Sequence, residues 1–217
     1  MSSSVSTASH RSAERREQLL DAADRAIRAH GPDVSMAAIA AEAGVTKPIL
    51  YRHFEDKGGL YRALAARQTD ELLLGIQAAL ATPGDVRART HATIDAYLAA
   101  IEKRPAVYSF VVDRAAAEEP AVAGYVASFQ RRLADELAVV VKADLGLPAL
   151  RAQVWAHGIV GLVRAAGDWW LDEQSVSRSR LVKELIDLLF VGLSDESTAS
   201  GPAVLRPVST RSRVGRG

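Results

Sequence analysis

The chain has 217 residues, of which 48% are hydrophobic and 24% charged, with a formal net charge of +1 and no cysteine. That composition suits one or two globular domains with proper cores, and it excludes disulfides and thiolate metal centres. No run approaches the roughly 18–20 apolar residues of a membrane helix, and residues 1–10 lack the apolar centre of a secretory signal, so a cytoplasmic protein with no membrane partner is expected. Sparse aromatics (6%) and abundant Ala, Leu, Val and Arg favour helices over sheets.

Residues 1–10 are small, polar and aperiodic, and are expected to form a flexible arm. From Arg11 to His30 the period is helical: Leu19, Leu20, Ala23, Ala26 and Ile27 share a face, while Glu14, Arg15, Arg16, Glu17 and Asp24 fall mostly on the other. Gly31 and Pro32 end that helix. Ser35 is placed to cap a short second helix with Met36, Ile39, Ala40 and Ala43 on its apolar stripe, and Gly44 closes it. Thr46 caps a third helix with Pro48 in its first turn, whose buried side is expected to carry Ile49, Leu50 and Phe54. Asp56 caps a fourth helix from Lys57 to about Leu80, whose first turn holds the poor helix formers Gly58 and Gly59, so a pliable start is expected. Past the Pro83-Gly84 break, helices are predicted at about 86–103, 105–116, 118–145, 148–172 and 176–193. From about Ser194 the period is lost, and 194–217 is expected to be a disordered tail.

Residues 35–54 carry the strongest signal. Two short helices crossing steeply need a small contact residue, a turn that accepts left-handed backbone and an apolar anchor, and Ala40, Gly44 and Leu50 supply them at spacings of four and six. This is helix-turn-helix spacing, and the second helix would enter a DNA major groove. Thr46, Lys47 and Pro48 lead that helix, where backbone amides and the positive dipole end favour phosphate or base-edge acceptors. Tyr51, Arg52 and His53 follow along it, and Ser35 begins the helix that supports it. Lys57 opens the fourth helix, where the dipole disfavours a cation unless an anion such as a phosphate lies close.

The run Ile39-Ala40-Ala41-Glu42-Ala43-Gly44-Val45-Thr46-Lys47-Pro48-Ile49-Leu50-Tyr51-Arg52-His53-Phe54-Glu55-Asp56-Lys57 resembles the signature of the TetR family of regulators, and Leu19–Ala23 and Gly31 fall where that family places its first helix. The resemblance spans roughly the first 60 residues. The Gly58-Gly59 pair departs from it, since helix formers are usual there. The resemblance implies an all-α, two-domain fold: a three-helix DNA-binding domain (11–56) with the helix-turn-helix, then a helical ligand-binding and dimerisation bundle (57–193). It implies double-stranded operator DNA, a small-molecule effector and a second copy of the chain as partners, with no cofactor and no metal. It also implies that Tyr51 and His53 contact phosphates and that Lys57 contacts the DNA backbone. Repression is the usual outcome in the family, though activators occur.

In the C-terminal half, Gly158, Gly161, Leu162 and Ala165 recur at near-helical spacing, and small residues let helices approach closely. Leu185, Leu188 and Leu189 give the last helix much apolar surface, so these seven positions are the candidate dimer interface. Polar and aromatic residues in otherwise apolar helices are the candidate effector site: Tyr97, Tyr108, Phe110, Asp113 and Arg114, then Tyr125, Phe129, Trp155, Arg164 and Trp169. Aromatics in helical bundles more often serve only as core. Trp169 and Trp170 must point to different sides of their helix, so one of them faces inward. His157 reads as a packing residue. The segment 158–185 is similar to actinobacterial members associated with lipid metabolism, which implies a fatty acyl-CoA, another lipid or an amphipathic drug as effector. No phosphate loop, HExxH, G-x-S-x-G or cysteine nucleophile is present, and Glu118-Glu119 and Asp135-Glu136 read as solvated faces, so no enzyme is expected. A helical adaptor without a DNA role would leave Lys47, Arg52 and Lys57 as surface charge.

Overall fold

The computed structural model describes residues 2–194, and side-chain environments from residue 10 to residue 190. Every regular element among them is helical: α1 (Ser2–His30), α2 (Met36–Glu42), α3 (Lys47–Phe54), α4 (Lys57–Leu80), α5 (Val86–Lys103), α6 (Pro105–Ser109), a π-helical stretch (Phe110–Ala115), α7 (Ala116–Glu118), α8 (Pro120–Leu145), α9 (Ala149–Glu173) and α10 (Arg178–Ser194). The expected all-α architecture is present. Two expectations along α1 are corrected. Residues 2–10 are not an arm but the first turns of α1, because neither Gly nor Pro interrupts the chain before Gly31. Asp24 is buried rather than on the polar face: it pairs with Arg28 at 2.7 Å and lies 3.7 Å from Arg104 and 4.0 Å from Arg67. The expected tail lies, past Ser194, outside the described residues.

The helix-turn-helix is built by local chemistry. Ser35 Oγ accepts from Ala38 N at 3.1 Å to cap α2, and Gly44 turns the chain at φ +63° while Val45 N donates to Ala40 O at 3.0 Å. Leu50 and Phe54 then enter a core with Leu19, Ile27, Ile39 and Ala40, and the Arg16 guanidinium sits 4.9 Å from the centre of the Phe54 ring. That core does not stop at the linker. It runs on through Leu60, Tyr61 and Leu64 of α4 to Phe110, Val111 and Ala115 of the π-helical stretch and Val122 of α8. A second core joins α5, α9 and α10 around Leu98, Ile101, Trp170, Val182 and Leu185, and a small third one holds Leu72, Ile76 and Phe129.

The α3–α4 junction is tight, not pliable. Asp56 Oδ1 accepts from Gly59 N at 2.6 Å, and a Cβ on Gly59 would lie 1.7 Å from the Phe54 carbonyl oxygen. This packing requires the glycine that departs from the family pattern. Gly59→Ala should therefore lower stability by about 1–3 kcal/mol through forced backbone displacement, whereas Gly75→Ala, where a Cβ meets nothing within 4 Å, should raise it by about 0.5–1 kcal/mol. Thermal or urea melts of the two variants check this; equal effects would refute the tight junction.

Candidate DNA interface and effector cavity

On α3, Thr46, Lys47, Pro48 and Arg52 are exposed, Tyr51 and His53 are half-buried, Leu50 and Phe54 are buried, and Ile49, expected on the buried side, is exposed instead. The Thr46 side chain makes no cap hydrogen bond, which leaves its hydroxyl available at the front of the helix. Neither Lys47 nor Arg52 forms an ion pair among the described residues, unlike Arg25, which holds Glu42 at 2.7 Å. Ser35 is already used as the α2 cap.

Lys57 is placed differently from the sequence expectation. Its ammonium lies 2.5 Å from Glu118 Oε2 and 5.3 Å from the centre of the Tyr61 ring, so the counter-charge assigned to a phosphate is supplied within the chain. Glu118 is exposed, as expected of a solvated face, but its carboxylate is engaged. It also accepts from Arg114 Nε at 3.1 Å and from the Tyr61 hydroxyl at 3.3 Å, while Arg114 Nη1 donates to the Pro32 carbonyl at 3.0 Å. Arg114 and Glu118 thus tie the loop after α1 and the start of α4 to the segment after the π-helical stretch. Glu119 adds a longer contact to Arg62 at 4.0 Å. The hydrogen bond from Lys57 holds the Glu118 carboxyl below its ordinary range, with Arg114 adding to the effect.

A slender cavity of about 100 Å³ lies among α4, α5, the π-helical stretch, α8 and α9. Gln68, Leu72, Ile76 and Leu80 line it in one row along α4, which at 1.5 Å per residue makes it roughly 18 Å long. Of the ten candidate effector residues, Tyr97, Tyr108, Phe129 and Arg164 line this cavity. The other six are placed elsewhere, for identifiable reasons. Phe110 is fully buried against Tyr61, edge to face at 4.8 Å, in the first core. Tyr125 packs on the same core and its hydroxyl accepts from Thr69 at 3.2 Å. Arg114 is taken by the strut just described. Asp113 is exposed, its carboxyl pushed up by partial burial and then by the Asp168 and Asp172 charges. Trp155 lies under Arg151 at 4.7 Å. Trp169 is 50% exposed, and Trp170, at 4%, is the inward member of the pair, donating from Nε1 to Val176 O at 2.7 Å. His157 is exposed and faces Asp135 at 3.7 Å, rather than packing inside.

One flank of the cavity carries a polar chain. Tyr97 and Tyr108 hydroxyls are 3.0 Å apart, Tyr108 donates to Asp168 Oδ1 at 2.6 Å, and Arg164 donates to Asp168 Oδ2 at 2.8 Å. Burial pushes Tyr97 up to about 12 and Tyr108 higher still, so both stay protonated donors at neutral pH. Sequence reading missed Gln68, although it interrupts the apolar row Leu60, Leu64, Leu72, Ile76, Leu80 at the four-residue spacing.

The α9 surface is apolar in a stripe. Leu150 (74% exposed), Val154, Gly158, Gly161, Ala165 and Trp169 follow one another along one face, with Leu188 exposed on α10. A Cβ on Gly158 or Gly161 would meet nothing within 4 Å. Leu185 is corrected: at 4% exposed it belongs to the protomer's own second core, against which Leu162 and Leu189 also pack. Leu150 and Val154 were missed because they precede the glycine cluster that drew attention.

Among the described residues no helix is long and apolar enough to cross a membrane. Residues 19–64 match the family described as bacterial regulatory proteins, tetR family, and residues 75–204 match the tetracyclin repressor-like C-terminal domain. The chain is 34% identical over 187 residues, 83% of this chain and 84% of the relative, to the HTH-type transcriptional activator FasR of Mycolicibacterium smegmatis. It is also 34% identical over 192 residues to an HTH-type transcriptional regulator of Mycobacterium tuberculosis, covering 87% of this chain and 81% of that one. Among solved structures, a TetR-like regulator from Rhodococcus sp. RHA1 superposes with TM-score 0.67 at 23% identity, covering 83% of this chain and 96% of that one. The fatty acid degradation regulator FadR of Bacillus halodurans does so with TM-score 0.66 at 20% identity, covering 82% and 96%.

The strut gives a pH prediction. Glu118 is held below the ordinary carboxylate value of 4.5, so its contribution is present above that value and is lost as pH falls through the lower folded value. Glu118→Gln should melt below wild type at pH 7, and the difference should close on acidification. A gap unchanged down to pH 3 would show that the Glu118 charge does not contribute.

Proposed function

The chain belongs to the TetR family of bacterial transcriptional regulators, and on that premise we propose that it binds a palindromic operator as a homodimer and is released by an effector that occupies the α4–α9 cavity. It is a regulator and not an enzyme. The observation that carries the DNA reading is the outer face of α3. Thr46, Lys47, Pro48 and Arg52 stand clear of the body, and two cations there have no partner among the described residues. Such a face fits a major groove, with Tyr51 and His53 flanking it towards the phosphates. Ser35 serves that interface indirectly, by capping the helix on which α3 rests.

A second copy is supported by glycines that serve no purpose in one protomer. Gly158 and Gly161 lie on an open face inside a helix, where each costs about 0.5–1 kcal/mol relative to Ala. Close approach of another helix accounts for them, and the surrounding apolar stripe with Leu188 would then be covered. Two recognition helices about 34–36 Å apart could then meet successive major grooves.

The cavity is narrow, long and apolar, which suits one extended chain better than a broad polycycle. An acyl chain is the effector class this shape favours. A fatty acid regulator among the structural neighbours agrees with it, although at 20% identity that neighbour speaks for the fold. Coupling would run through the π-helical stretch. Val111 and Val112 line the cavity, and Arg114 and Glu118, just beyond them, grip the loop after α1 and the start of α4. A tenfold loss of operator affinity would need about 1.4 kcal/mol of such coupling. We favour repression; the FasR relative, named an activator, supports activation as the second reading.

Anisotropy on an operator selected from random duplex DNA tests the interface. Lys47→Ala and Arg52→Ala should each weaken binding and reduce the salt slope by roughly 0.9 per lost phosphate contact. Gly161→Leu should leave a folded monomer on sedimentation, with much weaker operator binding. Wild-type affinity and salt slope in both cation variants, together with a dimeric Gly161→Leu, would remove this reading.

A further inference from the structure

Gln68 is the one polar residue in the α4 row Leu60, Leu64, Gln68, Leu72, Ile76, Leu80. It is 7% exposed, it lines the cavity, and its Oε1 is buried without a hydrogen-bond partner. A buried carbonyl oxygen left unpaired is a standing cost that Leu or Met at the same position would not incur. Gln130, the other amide in the lining, makes no hydrogen bond to it, and the two threonines are engaged elsewhere. Thr69 Oγ1 is engaged with the Ala65 and Ala66 carbonyls and with the Tyr125 hydroxyl, and Thr93 Oγ1 donates to the Arg89 carbonyl.

We propose that Gln68 is a specificity residue, and that the cavity takes an uncharged alkyl chain carrying a hydroxyl at the depth of Gln68. The inference rests on the proposed reading of the cavity as a chain-binding site. Charge argues for an uncharged group. Arg164 is the one cation in the lining, and it is already neutralised by Asp168 at 2.8 Å, so an anion drawn into the cavity would lose its hydration without a free counter-charge. Hydrogen-bond complementarity argues for a hydroxyl. A primary amide both donates and accepts, a half-turn of its plane exchanges the two ends, and a hydroxyl answers either one. On the opposite flank, the Tyr108 hydroxyl donates to Asp168, so the Tyr97 hydroxyl donates to the Tyr108 oxygen, which leaves a Tyr97 lone pair to accept from the same kind of group. A site built to hydrogen-bond a substituent discriminates strongly against the analogue that lacks it, because the site's own group is then left unpaired.

The test uses the full-length protein and a fluorescent C12 alkyl ester as reporter, displaced by methyl dodecanoate and by methyl dodecanoates hydroxylated at successive carbons. In wild type, one hydroxyl position should be preferred over the unsubstituted ester by about tenfold. Gln68→Met, of similar length but apolar, should bind the unsubstituted ester at least as well as wild type and lose the preference. Its circular dichroism and melting temperature should match or exceed wild type. No preference at any position in wild type, with all esters binding, would overturn the role of Gln68 while leaving the chain-binding site intact. A preference kept in Gln68→Met would overturn it equally. Failure of every ester to displace the reporter, and of the reporter itself to bind, would overturn both this inference and the reading of the cavity.

Discussion

The packing of the π-helical stretch against the head of α4 is the contact on which the rest of the molecule depends. Phe110 meets Tyr61 edge to face at 4.8 Å within a core that also contains Leu50 and Phe54 of the recognition helix. One continuous core therefore serves both the helix that would face DNA and the wall of the cavity. A packed core transmits displacement because it has no free volume to absorb it. The Glu118 cluster reinforces the same joint at its rim, where three donors converge on one carboxylate. These exposed contacts contribute little stability singly; their value is in fixing which helix moves with which.

The joint also gives Gly59 a structural reason. A side chain at Gly59 would collide with the Phe54 carbonyl, so α3 and α4 are locked at a short separation. Motion at the start of α4 is then carried directly into α3. A helix that enters the first core at Leu60 and lines the cavity from Gln68 to Leu80 belongs to both halves of the protein. The boundary drawn at residue 56 is a boundary of chain direction rather than of packing.

Much of this was legible in the sequence where local chemistry decides. The caps at Ser35 and Asp56, the turn at Gly44 and the buried Leu50 and Phe54 all follow from residue type and period. The paired tryptophans were legible in principle, since adjacent residues must diverge, but not which of them turns inward. Long-range choices were not legible. Phe110 and Tyr108 are both aromatic and two residues apart, so a helix turns them to different sides, but which fills the first core and which faces the cavity is decided by the elements packed against them. The exposure of Glu118 was legible, but its three partners were not, because they come from residues 57, 61 and 114. Leu185 looked free to pair because nothing in its own helix reveals that α5 and α9 already cover it.

The central claim is that cavity occupancy reaches the recognition helix through the Glu118–Lys57 joint. The most direct test is operator anisotropy titrated with the C12 alkyl ester, in wild type and in Glu118→Ala, with ester binding measured separately in each. The account predicts that ester changes operator affinity in wild type, and that Glu118→Ala still binds ester and DNA but shows most of that change lost. An equal response in both proteins would contradict it, and would place the coupling elsewhere in the fold.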